Sequence, residues 1–207
     1  MSAAGGSSAA RAQALRAGAR RGVWRRLLTA VGVTAHTRVA DAQAAACDAG
    51  TVGEVRTQQM LDPLERYGWC VLHDRAIPGA HSANADHVLI SPAGRAYLVD
   101  SKLWSAKFNR QVCVRDGRLM HGEYDRGKVV RSLLFETDLA GRALGVTVQP
   151  IIAVHNAPIE GGRFFVEGIP VLPAWDLVRC LVLNDGQRNA GAEVLAARAR
   201  AVLPPYR

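Results

Sequence analysis

The spacing of apolar residues changes period several times along the chain, and each change predicts an element. Over residues 51–67, Val52, Val55, Met60, Leu61 and Leu64 recur at helical spacing, which predicts a helix that turns them toward a core and is ended or kinked by Pro63. Trp69-Cys70-Val71-Leu72-His73 reads as a strand. Two further strands, 87–90 and 96–100, flank Ser91-Pro92-Ala93-Gly94-Arg95, whose turn chemistry predicts an antiparallel hairpin. A shorter hairpin is expected around Asp116-Gly117, between 111–114 and 118–121. Asp125 is then read as the cap of a helix carrying Val129, Val130, Leu133, Leu134 and Leu139 to a stop near Gly145. The β-branched run 148–155 is a strand, 164–171 holds another, and 175–183 closes the core as a helix. Residues 41–47 are Ala-rich and read as helical, while the Ala/Arg-rich end after Asn184 reads as a peripheral helix or tail. The order of elements is that of a mixed α/β domain.

Composition adds bounds to this picture. With 207 residues, 49% apolar and 21% charged, the chain suffices for one domain that buries roughly 70% of its unfolded surface. Cys47, Cys70, Cys113 and Cys180 lie 23, 43 and 67 residues apart, with no metal-ligand spacing, and read as buried thiols of a reducing compartment. A cytoplasmic location is the corresponding expectation.

Charge matters more for its placement than for its total. Of the formal +8, seven charges (Arg11, Arg16, Arg20, Arg21, Arg25, Arg26 and Arg38) fall within residues 1–40, which hold no acid, leaving +1 for 41–207. Residues 1–40 are therefore read as a basic, partly disordered N-terminal arm, 41–185 as the folded domain and 186–207 as a C-terminal helix or tail. An arginine arm suits a phosphate backbone or an anionic membrane face, and equally a solvated tail. The apolar run 27–33 is far shorter than the roughly 20 residues a spanning helix needs, so no membrane insertion is expected.

The chemistry concentrates in Leu98-Val99-Asp100-Ser101-Lys102. On a strand, Asp100 and Lys102 share a face, about 6 to 7 Å apart along the chain. Antiparallel pairing brings Asp86, at the start of one hairpin strand, beside Asp100 at the end of the next. Two carboxylates can hold a hard divalent cation, and an ammonium beside them can orient a water and stabilise charge developing on a phosphate. Glu54 opens the first core helix in Gly50-Thr51-Val52-Gly53-Glu54, where Gly53 leaves room for the helix to approach the sheet. Gln58 follows one turn later on the same side. Each group also has a plain structural reading: Thr51-x-x-Glu54 is a capping box, Asp86 a loop cap, and Asp100 with Lys102 a surface ion pair. Their convergence on one sheet edge is what favours a site. His87 follows Asp86 but points to the opposite face and is read as core or surface.

These segments carry a resemblance. Gly50-Thr51-Val52-Gly53-Glu54, then Asn84-Ala85-Asp86-His87-Val88-Leu89-Ile90-Ser91-Pro92-Ala93-Gly94, then Tyr97-Leu98-Val99-Asp100-Ser101-Lys102, in that order, resemble the nuclease-related domain family of the PD-(D/E)xK restriction-endonuclease-like superfamily, over roughly residues 48–155. The third motif reads DSK here where that family usually reads ExK. The resemblance implies an αβββαβ core with a mixed central sheet flanked by helices, magnesium-dependent cleavage of DNA, and metal-binding or catalytic roles for Glu54, Asp86, Asp100 and Lys102.

The expectation is thus a divalent-metal-dependent nuclease that hydrolyses DNA phosphodiester bonds through a metal-activated water. Asp86, Asp100 and Glu54 would hold magnesium, with manganese as a substitute, and Lys102 would position the water. Arg20, Arg21, Arg25 and Arg26 of the arm, Lys107 and Arg110 after the third motif, and Arg126, Lys128 and Arg131 at the next helix are the expected nucleic-acid contacts. Trp104 and Phe108 mix aromatic faces among these cations, a pattern that suits base stacking and also a packed edge strand with snorkelling Lys and Arg, just as Arg126, Lys128 and Arg131 also suit a solvated helix face. RNA as the substrate and a homodimer stay open. The rival classes are a catalytically inactive nucleic-acid-binding module and a membrane-peripheral scaffold docking through the arm.

Overall fold

The computed structural model describes residues 13, 50–80 and 84–206; the expected helix at 41–47 and the arm residues Arg20, Arg21, Arg25 and Arg26 lie outside them. Helix α1, residues 50–61, passes into a 3-10 turn at Asp62–Tyr67. The change comes at Pro63, which has no N–H to continue the α pattern. Strands β1 (Cys70–Ala76), β2 (Asn84–Ile90) and β3 (Ala96–Leu103) form an antiparallel meander. The tight turn between β2 and β3 is closed by Ser91 N–H to Arg95 O and Gly94 N–H to Ser91 O, both 2.9 Å, with Gly94 at φ 79° where a side chain would be strained.

A second, three-stranded sheet follows: β4 (Val112–Arg115), β5 (Arg118–His121) and β6 (Tyr124–Asp125). Its hairpin turns on Asp116 and Gly117, both at positive φ, as the Asp-Gly signal requires. Helix α2 (Gly127–Leu144) then crosses back, and β7 (Val148–His155) pairs parallel with β3. Strands β8 (Phe164–Val166) and β9 (Ile169–Pro173), helix α3 (Leu177–Leu183) and helix α4 (Gly191–Val202) complete the chain. The main sheet has the order β1-β2-β3-β7-β9-β8, antiparallel at both edges and parallel in the middle.

Helices cover both faces of this sheet, so its central strands are buried on both sides and read as nearly continuous apolar runs. Leu98 packs in the cluster formed with Val130, Leu133, Ala140 and Leu144 of α2, and its neighbour Val99 packs in the cluster formed with Leu61 of α1 and Leu177 and Leu181 of α3. This is a restriction-endonuclease-like α/β core: α1, three strands, α2 and β7 in order, with the small sheet inserted before α2. After α4, Ala76 N–H bonds Pro204 O and Tyr206 N–H bonds Asp74 O, which covers the outer edge of β1.

Two local expectations are corrected. Val52 is 43% exposed, because the inward face of α1 is set by Gly53, Glu54, Thr57 and Leu61, and Val52 lies off that stripe. Asp125 is not the cap of α2; Arg126 holds that position, and the Asp125 carboxylate accepts the Gly127 N–H at 2.6 Å from one residue further out.

Gly53 is the point where α1 meets the sheet. A Cβ there would stand 3.2 Å from Leu103 Cβ and 3.4 Å from Leu103 N, so a bulkier residue must push the helix away. Gly53→Val is expected to destabilise the protein by about 1–3 kcal/mol in urea unfolding. An unchanged midpoint would contradict the close approach.

Candidate active site

The ends of β2 and β3 build the site. His87 pairs with Val99, so the antiparallel register sets Asp86 beside Asp100 where the ladder ends. There the Asp86 carboxylate takes over from the backbone, its Oδ2 accepting the Ser101 N–H at 2.9 Å. Asp100 and Lys102 share the α2 face of β3, and Lys102 Nζ donates to Asp100 Oδ1 at 2.5 Å. Their side chains are only 14% and 26% exposed, which removes this pair from the class of solvated surface ion pairs. Asp100 Oδ2 is buried and has no hydrogen-bond partner. Glu54 reaches in from α1 and is buried. Thr51 lies within the helical residues of α1.

Charge crowding is the dominant electrostatic feature. Burial and the neighbouring Asp100 charge push the Asp86 carboxyl well above the ordinary carboxylate range, Lys102 opposes the push and Glu54 adds to it. Burial alone would depress Lys102, but the Asp100 and Asp86 carboxylates outweigh it and hold the ammonium above the ordinary lysine range. One further acid belongs to this group. Glu136 of α2 is pushed up to about 7 by burial and by the Asp100 charge, against the pull of Lys102. Among the described residues, no three His, Cys, Asp or Glu side chains stand together as a ready-made cation shell. Asp100 Oδ1 is engaged by Lys102 and Asp86 Oδ2 by Ser101.

The opposite face of the same strands carries a polar chain, buried except at its Asp62 end. His73 Nε2 lies 2.8 Å from Asp62 Oδ1, and the His73 and His87 Nδ1 atoms are 2.7 Å apart. His87 Nε2 lies 3.1 Å from Ser101 Oγ, which is bonded to Thr57 Oγ1 at 2.9 Å, and Thr57 Oγ1 lies 2.7 Å from His155 Nε2. Ser101 therefore joins the two faces: its hydroxyl sits in this chain and its N–H holds Asp86. Burial first, then neighbouring cationic and imidazole groups, keeps His87 well below the ordinary imidazole range.

The structure thus brings together Glu54, Asp86, Asp100 and Lys102. Of the expected nucleic-acid contacts, Lys107, Lys128 and Arg131 are exposed, while Arg110 and Arg126 are half-buried against aromatic rings. Glu136 and the Asp62-to-His155 chain were not expected. Glu136 left one trace in the sequence, an acid one position from Thr137 within the inward stripe Val130, Leu133, Thr137, Ala140, Leu144. Gln58 donates to Asp62 at 3.4 Å.

A family model described as nuclease-related domain matches residues 49–154. The chain belongs to the nuclease-related domain family. The match runs from α1 through β7 and contains Glu54, Asp86, Asp100, Lys102 and Glu136. The restriction-endonuclease-like core agrees with placing the family in the PD-(D/E)xK superfamily. No curated protein and no solved structure shows significant similarity to the chain. No helix among the described residues is long and apolar enough to cross a membrane.

For this nuclease-related domain the crowding makes a testable statement about stability. Folding drives Asp86 toward its neutral form, which costs stability at neutral pH, where the unfolded chain is ionised. Asp86→Asn keeps the acceptor for Ser101 and removes the charge, so it is expected to raise stability by about 1 kcal/mol at pH 7.5. Between the raised value and 3.8 the folded wild type binds the extra proton, so the advantage of the variant shrinks as pH falls through that window. Lys102→Met, which leaves the carboxylates uncompensated, is expected to cost roughly 3 kcal/mol. Thermal melts across pH check both signs, and a destabilised Asp86→Asn would contradict the crowding.

Proposed function

We propose that this protein is a divalent-metal-dependent nuclease that hydrolyses DNA phosphodiester bonds. The observation that carries the reading is the Asp86–Asp100 pair, with one buried carboxylate oxygen lacking a partner, beside the Lys102 ammonium within a nuclease-related domain. Crowded carboxylates with an unused oxygen lower their energy by sharing a cation, and hard oxygen donors suit magnesium or manganese. Asp86 and Asp100 would hold the ion, with Glu54 completing the set. When bound, the ion supplies Lewis acidity toward the phosphate and the attacking water.

The chain's own residues divide the remaining work. Lys102, held charged by its carboxylate neighbours, presents N–H donors to the non-bridging phosphate oxygens as negative charge builds on them. Glu136, an acid of α2 beside Asp100 and Lys102, would take the proton that water loses as its oxygen bonds to phosphorus, while the leaving oxygen departs and is protonated from solvent. Ser101, fixed through His87 and Thr57, keeps Asp86 in place through its N–H. The seven arginines of residues 1–40 suit the same substrate by adding sequence-independent affinity that falls with salt.

A second reading follows from the lack of a ready-made cation shell among the described residues: a binding module that retains the acidic cluster without turnover. Nicking of supercoiled plasmid by the full chain separates the two. Under the nuclease reading, magnesium or manganese supports cutting, EDTA abolishes it, and Asp100→Ala and Lys102→Ala each lower the rate by about a hundredfold or more. Persistent binding without cutting by folded wild-type protein would assign the module.

A further inference from the structure

Directly after Lys102 the chain builds a ladder of alternating rings and guanidinium groups. Arg110 Cζ lies 5.3 Å from the Phe108 ring centroid and 4.9 Å from that of Tyr124. Arg126 Cζ lies 5.6 Å from the Tyr124 ring and 5.6 Å from that of Trp104, two residues beyond Lys102. Trp104 in turn stacks on His121, with centroids 5.3 Å apart and planes 13° from parallel. The outer rung is anomalous for a residue that serves only the fold. Phe108 is 86% exposed and sits at φ 59°, ψ 30°, the left-handed region that a bulky side chain rarely occupies. Its backbone is held against preference, and the ring so displayed meets water on most of its surface.

The charges around the ladder define what would cover it. Lys107, Arg110, Arg118 and Arg126 stand against two acids, Glu123 at 3.4 Å from Arg110 and Asp125 at 3.4 Å from Arg118, both on the exposed rim. Arg126 Nε is buried without a hydrogen-bond partner. An apolar π-face flanked by excess cations matches a ligand that is itself flat, aromatic and anionic along its spine. Single-stranded nucleic acid has that character, whereas paired bases in a duplex are already stacked on both sides.

We infer that the Phe108 ring, at the open end of a ladder whose Tyr124 and Trp104 rings are already covered by Arg110, Arg126 and His121, is a stacking platform for unpaired bases of single-stranded DNA, leading the strand to the Asp100–Lys102 site. The consequence for cleavage rests on the nuclease reading; the binding does not. Phe108 supplies the free face, Arg110 and Arg126 stiffen the ladder and meet phosphates, and substrate preference is set at Phe108, six residues beyond the lysine of the site.

The test is fluorescence anisotropy with the full chain in EDTA, comparing dye-labelled oligothymidylate with a duplex of equal length at fixed salt. The single strand is expected to bind more tightly, and Phe108→Ala to weaken it by about tenfold while changing duplex binding less than twofold. Phe108→Gly, which suits the left-handed backbone, is expected to melt no lower than wild type while losing the same affinity. Equal affinity for duplex, or single-strand affinity unchanged in Phe108→Ala, would overturn the platform. Tight single-strand binding by a chain that never cuts plasmid would leave the platform standing and remove the nuclease; metal-dependent cutting with unchanged Phe108→Ala binding would do the reverse.

Discussion

A single ammonium, Lys102, faces the carboxylates of Asp86 and Asp100 where β2 and β3 end, with Glu54 and Glu136 adding negative charge from the helices on either side. One cation cannot balance that many acids in a place from which water is largely excluded. The imbalance appears as a raised Asp86, a Glu136 near neutrality, and an Asp100 oxygen with nothing to bond. The surrounding architecture is arranged to maintain this state. Antiparallel register sets the two aspartates side by side, Gly53 lets α1 come close enough for Glu54 to join, and α2 brings Glu136 over the same face.

What keeps so unfavourable a cluster in place lies on the other side of the sheet. The hydrogen-bonded chain from Asp62 through His73, His87, Ser101 and Thr57 to His155 ties α1, β1, β2, β3 and β7 together at one level. Every link is between polar groups that would cost stability if left alone, so the chain resists partial disruption. Ser101 couples it to the site, since displacement of its hydroxyl would also move the N–H that Asp86 accepts. A stiff, satisfied network behind a repulsive, unsatisfied one is the arrangement expected where local stability is given up for chemistry.

Much of this was legible from residue order. Ser91-Pro92-Ala93-Gly94-Arg95 announced the hairpin that places Asp86 against Asp100, the period of two put Asp100 and Lys102 on one face, and Gly53 marked the close helix approach; the structure has all three. Local rules failed where tertiary packing decides. Val52 matched the apolar count of α1 but not its buried stripe, which the sheet sets through Gly53 and Thr57. Glu136 looked like one more polar residue of an amphipathic helix, because its role depends on how α2 is rotated over β3. The histidine chain was invisible for the same reason: His73, His87 and His155 come from three strands and share no spacing, and only the register of β1, β2, β3 and β7 aligns them.

If Asp86 and Asp100 are poised to share a cation, calorimetric titration of the full chain with manganese chloride detects it without reliance on turnover. Saturable binding that stabilises the protein in thermal melts is expected, and Asp100→Asn is expected to abolish it while the variant remains folded. Absence of binding at millimolar manganese, or binding that survives Asp100→Asn unchanged, would contradict it.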